Sequence, residues 1–190
     1  MVEGMRVQDW RQNDRQAGKT LAFTMWNSRV RLQVYDTKNV KDKQFNKSLT
    51  EDDLVLIEKY IAKVQAASPE QKFSIQFNSY DRNSKQYRLS EVLTIEKDSK
   101  QQYKISVTDC AKNTTFTFTL RSPATVTVGS EPLNDGMLSA LKLDTLKDWI
   151  TGAKIWAPFT FQPMQNGNGG YRSGNGGGAA VASGDGDLPF

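Results

Sequence analysis

The sequence predicts an α+β chain, mostly antiparallel β-sheet with two helices. Three observations predict it. Apolar and polar residues alternate with period two through several short stretches of the first 120 positions. Two segments break that rhythm: near residues 54–64 apolar residues are spaced by three and four, and residues 138–150 carry a second non-alternating apolar set. Each of these segments follows a group of strands, so the order is strands, helix, four strands, helix.

Residues 20–26 alternate, with Leu21, Phe23 and Met25 against Thr20, Ala22, Thr24 and Trp26. Residues 29–35 do the same, with Val30, Leu32 and Val34 against Arg29, Arg31, Gln33 and Tyr35. Asn27-Ser28 between them reads as the turn of a hairpin. A weaker strand signal precedes them at residues 5–10. Residues 38–47, with four lysines, read as a basic loop. Thr50 followed by Asp53 fits a capping box, and Leu54, Ile57, Ile61 and Val64 then fall on one helical face. Ser68-Pro69 ends that helix.

The second strand group starts with Phe73, Ile75 and Phe77 and turns at residues 81–84. It continues through residues 87–97, with Leu89, Leu93 and Ile95 on one side, then turns at residues 98–100. Residues 103–109 place Ile105 and Val107 inward, and residues 114–120 set Phe116, Phe118 and Leu120 against Thr115, Thr117 and Thr119. A helix is expected over residues 137–150, with Leu138, Leu141, Leu146, Trp149 and Ile150 as its apolar set and a break near Asp144. The pattern suggests two successive β-β-β-β-α units, the first less well defined.

The chain has 190 residues, one cysteine and no histidine. Without imidazole there is no Ser-His-Asp triad and no histidine metal ligand, and one cysteine forms no internal disulfide or cysteine-cluster zinc site. Cys110 reads as a structural thiol. Glu51, Asp52 and Asp53 read as first-turn carboxylates facing a helix dipole rather than as a metal site. No metal, cofactor or catalytic residue is assigned, and a non-enzymatic protein is expected. No apolar run reaches 18 residues and the first residues lack a secretory h-region, so no membrane association and a cytoplasmic location are expected.

The outward strand residues are Thr, Ser, Gln and Asn interleaved with Trp26, Arg29, Arg31, Tyr35, Tyr80, Arg88, Lys104 and Arg121. Aromatic rings among cations suit single-stranded nucleic acid, because bases stack on the rings while the cations follow phosphates. The competing interpretation is an ordinary solvated sheet face.

Residues 165–190 hold nine of the 14 glycines. Their side-chain charge is −1, from Arg172, Asp185 and Asp187, which leaves the body at +5 against +4 for the whole chain. Three parts are expected: a binding domain at residues 1–164, a flexible glycine-rich linker at 165–184, and an acidic partner-binding tip at 185–190. In the tip, Asp185 and Asp187 precede Leu188, Pro189 and Phe190. A terminal ring and carboxylate on such a tether suit an apolar pocket with a basic rim on another protein.

The tip resembles the acidic C-terminal tip of bacterial single-stranded DNA-binding proteins, where aspartates precede an aliphatic residue, Pro and Phe after a glycine-rich linker. Gly186 between the aspartates departs from that pattern and removes one charge. The element order does not match that family's OB-fold, which stands as the alternative. It is closer to the PC4/Whirly type, and residues 18–23 are loosely similar to a Whirly strand opening. The resemblance implies a phage-type protein that coats and protects single-stranded DNA as a homo-oligomer during replication, recombination and repair, in the host cytoplasm. It implies replication and repair proteins as partners of the tip. The rival functions are a PC4-like transcription or RNA-binding factor, a carboxylate-metal nuclease, and an adaptor that uses only the tip.

Overall fold

The computed structural model describes residues 9–26, 29–123, 127–128 and 131–156; for Trp26 and Val128 it describes the backbone only. The Asn27-Ser28 turn, the linker and the tip lie outside the described residues, as do residues 5–8 of the weak first strand signal.

Two units of four antiparallel strands and one helix follow each other. The first is β1 (Trp10–Asp14), β2 (Lys19–Trp26), β3 (Arg29–Asp36), β4 (Lys43–Leu49) and α1 (Glu51–Ala66). The second is β5 (Gln71–Asp81), β6 (Gln86–Lys97), β7 (Tyr103–Asp109), β8 (Thr114–Thr119) and α2 (Asp135–Trp156). A short ribbon, β9 (Thr127–Val128) with β10 (Glu131–Pro132), lies between β8 and α2. Within each sheet the strands are ordered as in sequence. Gly18, at φ +63°, closes the β1–β2 turn in the left-handed region that glycine adopts without a Cβ clash.

Helix α1 starts as the residues dictate. Thr50 Oγ1 accepts from the Asp53 N–H at 3.2 Å, and the Asp53 carboxylate accepts from the Thr50 N–H at 2.8 Å. Leu54, Ile57, Ile61 and Val64 are buried. They join one core cluster with the inward faces of both sheets and with Leu143, Leu146, Ile150 and Ala153 of α2. Glu58 meets Thr151 and Lys154, while Gln65 meets Asp144, so the helices run antiparallel. Trp10 Nε1 donates to Thr145 Oγ1 at 3.1 Å and its ring meets Phe23 edge-on, which ties β1 to α2 and to the core.

Five local expectations are corrected. The first strand starts at Trp10 and runs to Asp14, later than the 5–10 signal. The basic loop is only partly a loop: β4 occupies its second half and buries Phe45 and Leu49. Lysines at 43 and 47 obscure that alternation, and Lys47 is held inside by an ion pair to Glu91 of the other sheet at 2.9 Å. Leu89 does not share a side with Leu93, because the β5–β6 register shifts between Phe77 and Asn78 and reverses the parity of β6 beyond it. Helix α2 is unbroken at Asp144 and runs on to Trp156. Its buried stripe uses Leu143 rather than Leu141, which is exposed.

Candidate nucleic-acid interface

The inward side chains are consumed by the core, so the candidate surface is built from the outward set. On the first sheet, cross-strand register aligns Arg11 with Ala22, Ala22 with Gln33, Thr24 with Arg31, and Trp26 with Arg29. Asn13, Thr20, Gln33 and Asn46 on this face are joined by hydrogen bonds, and Thr20, Ala22 and Gln33 are buried. Thr20 Oγ1 donates to Asn13 Oδ1 at 2.9 Å, and Gln33 Nε2 donates to Asn46 Oδ1 at 2.9 Å. Arg29 is exposed. Arg31 is half-buried, and its Nε has no hydrogen-bond partner among the described residues.

Tyr35 is on this face but is not a stacking platform, since it is only 3% exposed. Alternation assigns a face, not an exposure, and Tyr35 sits on a central strand at the β3–β4 register shift. Burial pushes its phenol pKa up, with Arg11 pulling the other way.

The second sheet presents a different outer face. Ser74 pairs with Thr94 at 2.8 Å, Ser106 with Thr117 at 2.9 Å, and Thr108 with Thr115 at 2.9 Å. This face is dominated by neutral hydroxyls. Lys104 is on it but is tied to Asp98 at 3.2 Å. Tyr80 and Arg88 lie farther out along the β5–β6 hairpin, with Arg88 paired to Asp81 at 3.4 Å. The expected residues therefore do not form one cluster. Arg29, Arg31 and Tyr35 share the first sheet, Tyr80 and Arg88 share the hairpin, and Arg121 lies just past β8.

Arg121 marks where the two outer faces meet. Its backbone N–H donates to Gln12 Oε1 at 3.1 Å, across the seam between β1 and β8. A cleft of about 930 Å³ opens along this seam. Arg11, Arg15, Arg121 and Lys142 line it, with Asp14 as the one carboxylate among its lining residues. Asn13 reaches it from the first outer face, and Thr117 and Thr119 from the second. Arg121 also pairs with Asp135 at 3.2 Å but stays well exposed. Lys142 places its ammonium 4.7 Å from the centroid of the Trp10 ring, and burial lowers its pKa.

Arg11, Arg15 and Lys142 were not among the residues singled out from sequence. Arg11 follows a tryptophan that begins a five-residue strand, too short a run to show its period. Lys142 is legible only once α2 is placed against β1. The carboxylates Glu51, Asp52 and Asp53 occupy the first turn of α1. Cys110 is half-buried, and its backbone N–H donates to the Ser90 carbonyl at 2.9 Å.

No protein-family model matches the chain, and no curated protein matches it. A solved chain from the crystal structures of Trypanosoma bruciei MRP1/MRP2 is similar with a TM-score of 0.42 and 13% identity, over 78% of this chain and 81% of that one.

Proposed function

We propose that the protein binds single-stranded nucleic acid without transforming it, and that the β1–β8 seam is the centre of the binding surface. The observation that carries this is the cleft itself, lined by Arg11, Arg15, Arg121 and Lys142 where two polar sheet faces converge; Asp14 lines it too, and Arg11 pairs with Asp9 and Arg121 with Asp135. A polyanion gains from such a site by releasing counterions, and the neighbouring hydroxyls and amides hydrogen-bond without fixing sequence. The finer reading is a Whirly-like, phage-type protein that assembles as a homo-oligomer, protects single-stranded DNA and recruits replication and repair proteins through Asp185, Asp187, Leu188, Pro189 and Phe190. The alternative, a PC4-like transcription or RNA-binding factor, uses the same cleft.

Titration of labelled oligo-dT, oligo-U and duplex DNA over a range of salt tests this. Saturable binding to single strands is expected, weakening as salt rises. Arg15→Ala and Arg121→Ala should each weaken binding and reduce the magnitude of the salt slope by roughly 0.7 for a single strand. The ratio of oligo-dT to oligo-U affinity separates the DNA reading from the RNA one. Wild-type protein that binds neither strand at low salt would defeat the proposal.

A further inference from the structure

The β5–β6 hairpin is longer than the sheet that holds it. Pairing of β6 with β7 begins at Glu91 and Asp109, whereas β5 and β6 stay paired out to Asp81 and Gln86. Beyond the register shift at Phe77 and Asn78, the two strands therefore form a free-standing ribbon. The strand positions that flank its polar turn carry exposed apolar groups. Tyr80 and Tyr87 are cross-strand partners, 51% and 74% exposed, and their rings meet edge-to-face at 5.3 Å. Leu89, 43% exposed, lies on the same side of the ribbon.

The tip of the ribbon is held by its own residues. Asp81 accepts from the Asn83 N–H at 3.0 Å and from the Ser84 hydroxyl at 2.8 Å. Those bonds, the Ser84 hydroxyl first, lower the Asp81 pKa and keep it charged. Lys85, at φ +53°, completes the turn. The ribbon carries Arg82, Lys85 and Arg88 against Asp81 alone.

We infer that this ribbon is a second, separable contact for the same strand, in which Tyr87, braced by Tyr80, stacks a nucleobase while Arg82 and Lys85 take the adjoining phosphates. The inference rests on the reading of the seam as a nucleic-acid site. Charge complementarity and the exposed ring select the occupant: a single-stranded nucleic acid offers base faces to Tyr87 and phosphates to the cations of the ribbon. Along β5, Tyr80 keeps the parity of Ser74 and Gln76, so the ribbon extends the hydroxyl face and does not turn toward the core. Thr117 of the cleft is in register with Ser106, and Ser106 with Thr94. From Thr94 to Tyr87 the strand rise spans roughly 23 Å. Only a strand long enough to cross the hydroxyl face reaches both contacts.

Oligo-dT of on the order of 5 and 25 nucleotides separates the two contacts, since sites of this kind span roughly 4–16 nucleotides. Tyr87→Ala should weaken the long strand about ten-fold and leave the short one unchanged, and Tyr87→Phe should restore wild-type affinity. Arg121→Ala should weaken both lengths, which marks the seam as the shared site. Equal affinity of Tyr87→Ala and wild type for the long strand would overturn the inference and leave the seam reading standing. So would an equal loss on both lengths. A changed sedimentation coefficient of free Tyr87→Ala, with long-strand affinity intact, would assign the ribbon to a second copy of the chain and overturn it too. Failure of wild type to bind either length removes both readings together.

Discussion

Glu58 shows how much one side chain carries between elements. It lies on α1, and its carboxylate accepts from Lys154 and, at 2.7 Å, from Thr151 on α2. The Lys154 hydrogen bond, followed by that of Thr151, holds its pKa below the ordinary carboxylate value. A carboxylate with a lowered folded pKa stabilises the fold above its unfolded pKa. It loses that contribution as pH falls through the folded value. The clamp is therefore fully present at neutral pH and fades below about pH 4. Glu58→Gln should be less stable than wild type at pH 7, and the gap should narrow toward about pH 3 in urea melts. A constant gap across that range would show that Glu58 acts by packing and not by charge. The same scale explains which candidate positions are legible in the sequence. Parity places Arg29 and Arg31 on the outer face, Arg29 exposed and Arg31 half-buried, and Arg121 is exposed just past a strand end. Lys142 and Arg15 are not legible, because their role depends on which elements lie opposite. Tyr35 had the right parity and the wrong exposure.

At the level of elements, legibility follows the strength of each local signal against its context. Helix α1 was readable in full, since its capping box and its four buried positions arise from neighbours in sequence. Strand β4 was not, because Lys43 is exposed and Lys47 looks solvated until Glu91 of the other sheet supplies its partner. The register shift in the β5–β6 hairpin leaves no simple mark in composition, so Leu89 was assigned to the wrong side. Whether β4 is a core strand is directly measurable. Phe45 is 4% exposed and joins the core cluster, whereas Val40 in the preceding turn is 53% exposed. Phe45→Ala should cost about 3–5 kcal/mol of unfolding free energy, and Val40→Ala within about 0.5 kcal/mol of nothing. Similar small losses for both would return this segment to the loop that its lysines suggest.

At the scale of the whole molecule, one core cluster among the described residues draws on both sheets and both helices. The expected acidic tip, residues 185–190, lies outside the described residues. Its effect belongs to binding. A glycine-rich segment of the length of residues 165–184 reaches roughly 25 Å if it behaves as a random coil, which keeps an acidic tip at high effective concentration near its own body. Asp185 and Asp187 would then compete with phosphates for Arg11, Arg15, Arg121 and Lys142, the cations of the seam. Competition of this kind is electrostatic, so salt weakens it. Deleting residues 185–190 should raise affinity for oligo-dT at low salt, and the gain should shrink as salt increases. Affinity that is unchanged or lower after the deletion would remove the tip from the cleft and leave it only the role of a partner-binding segment.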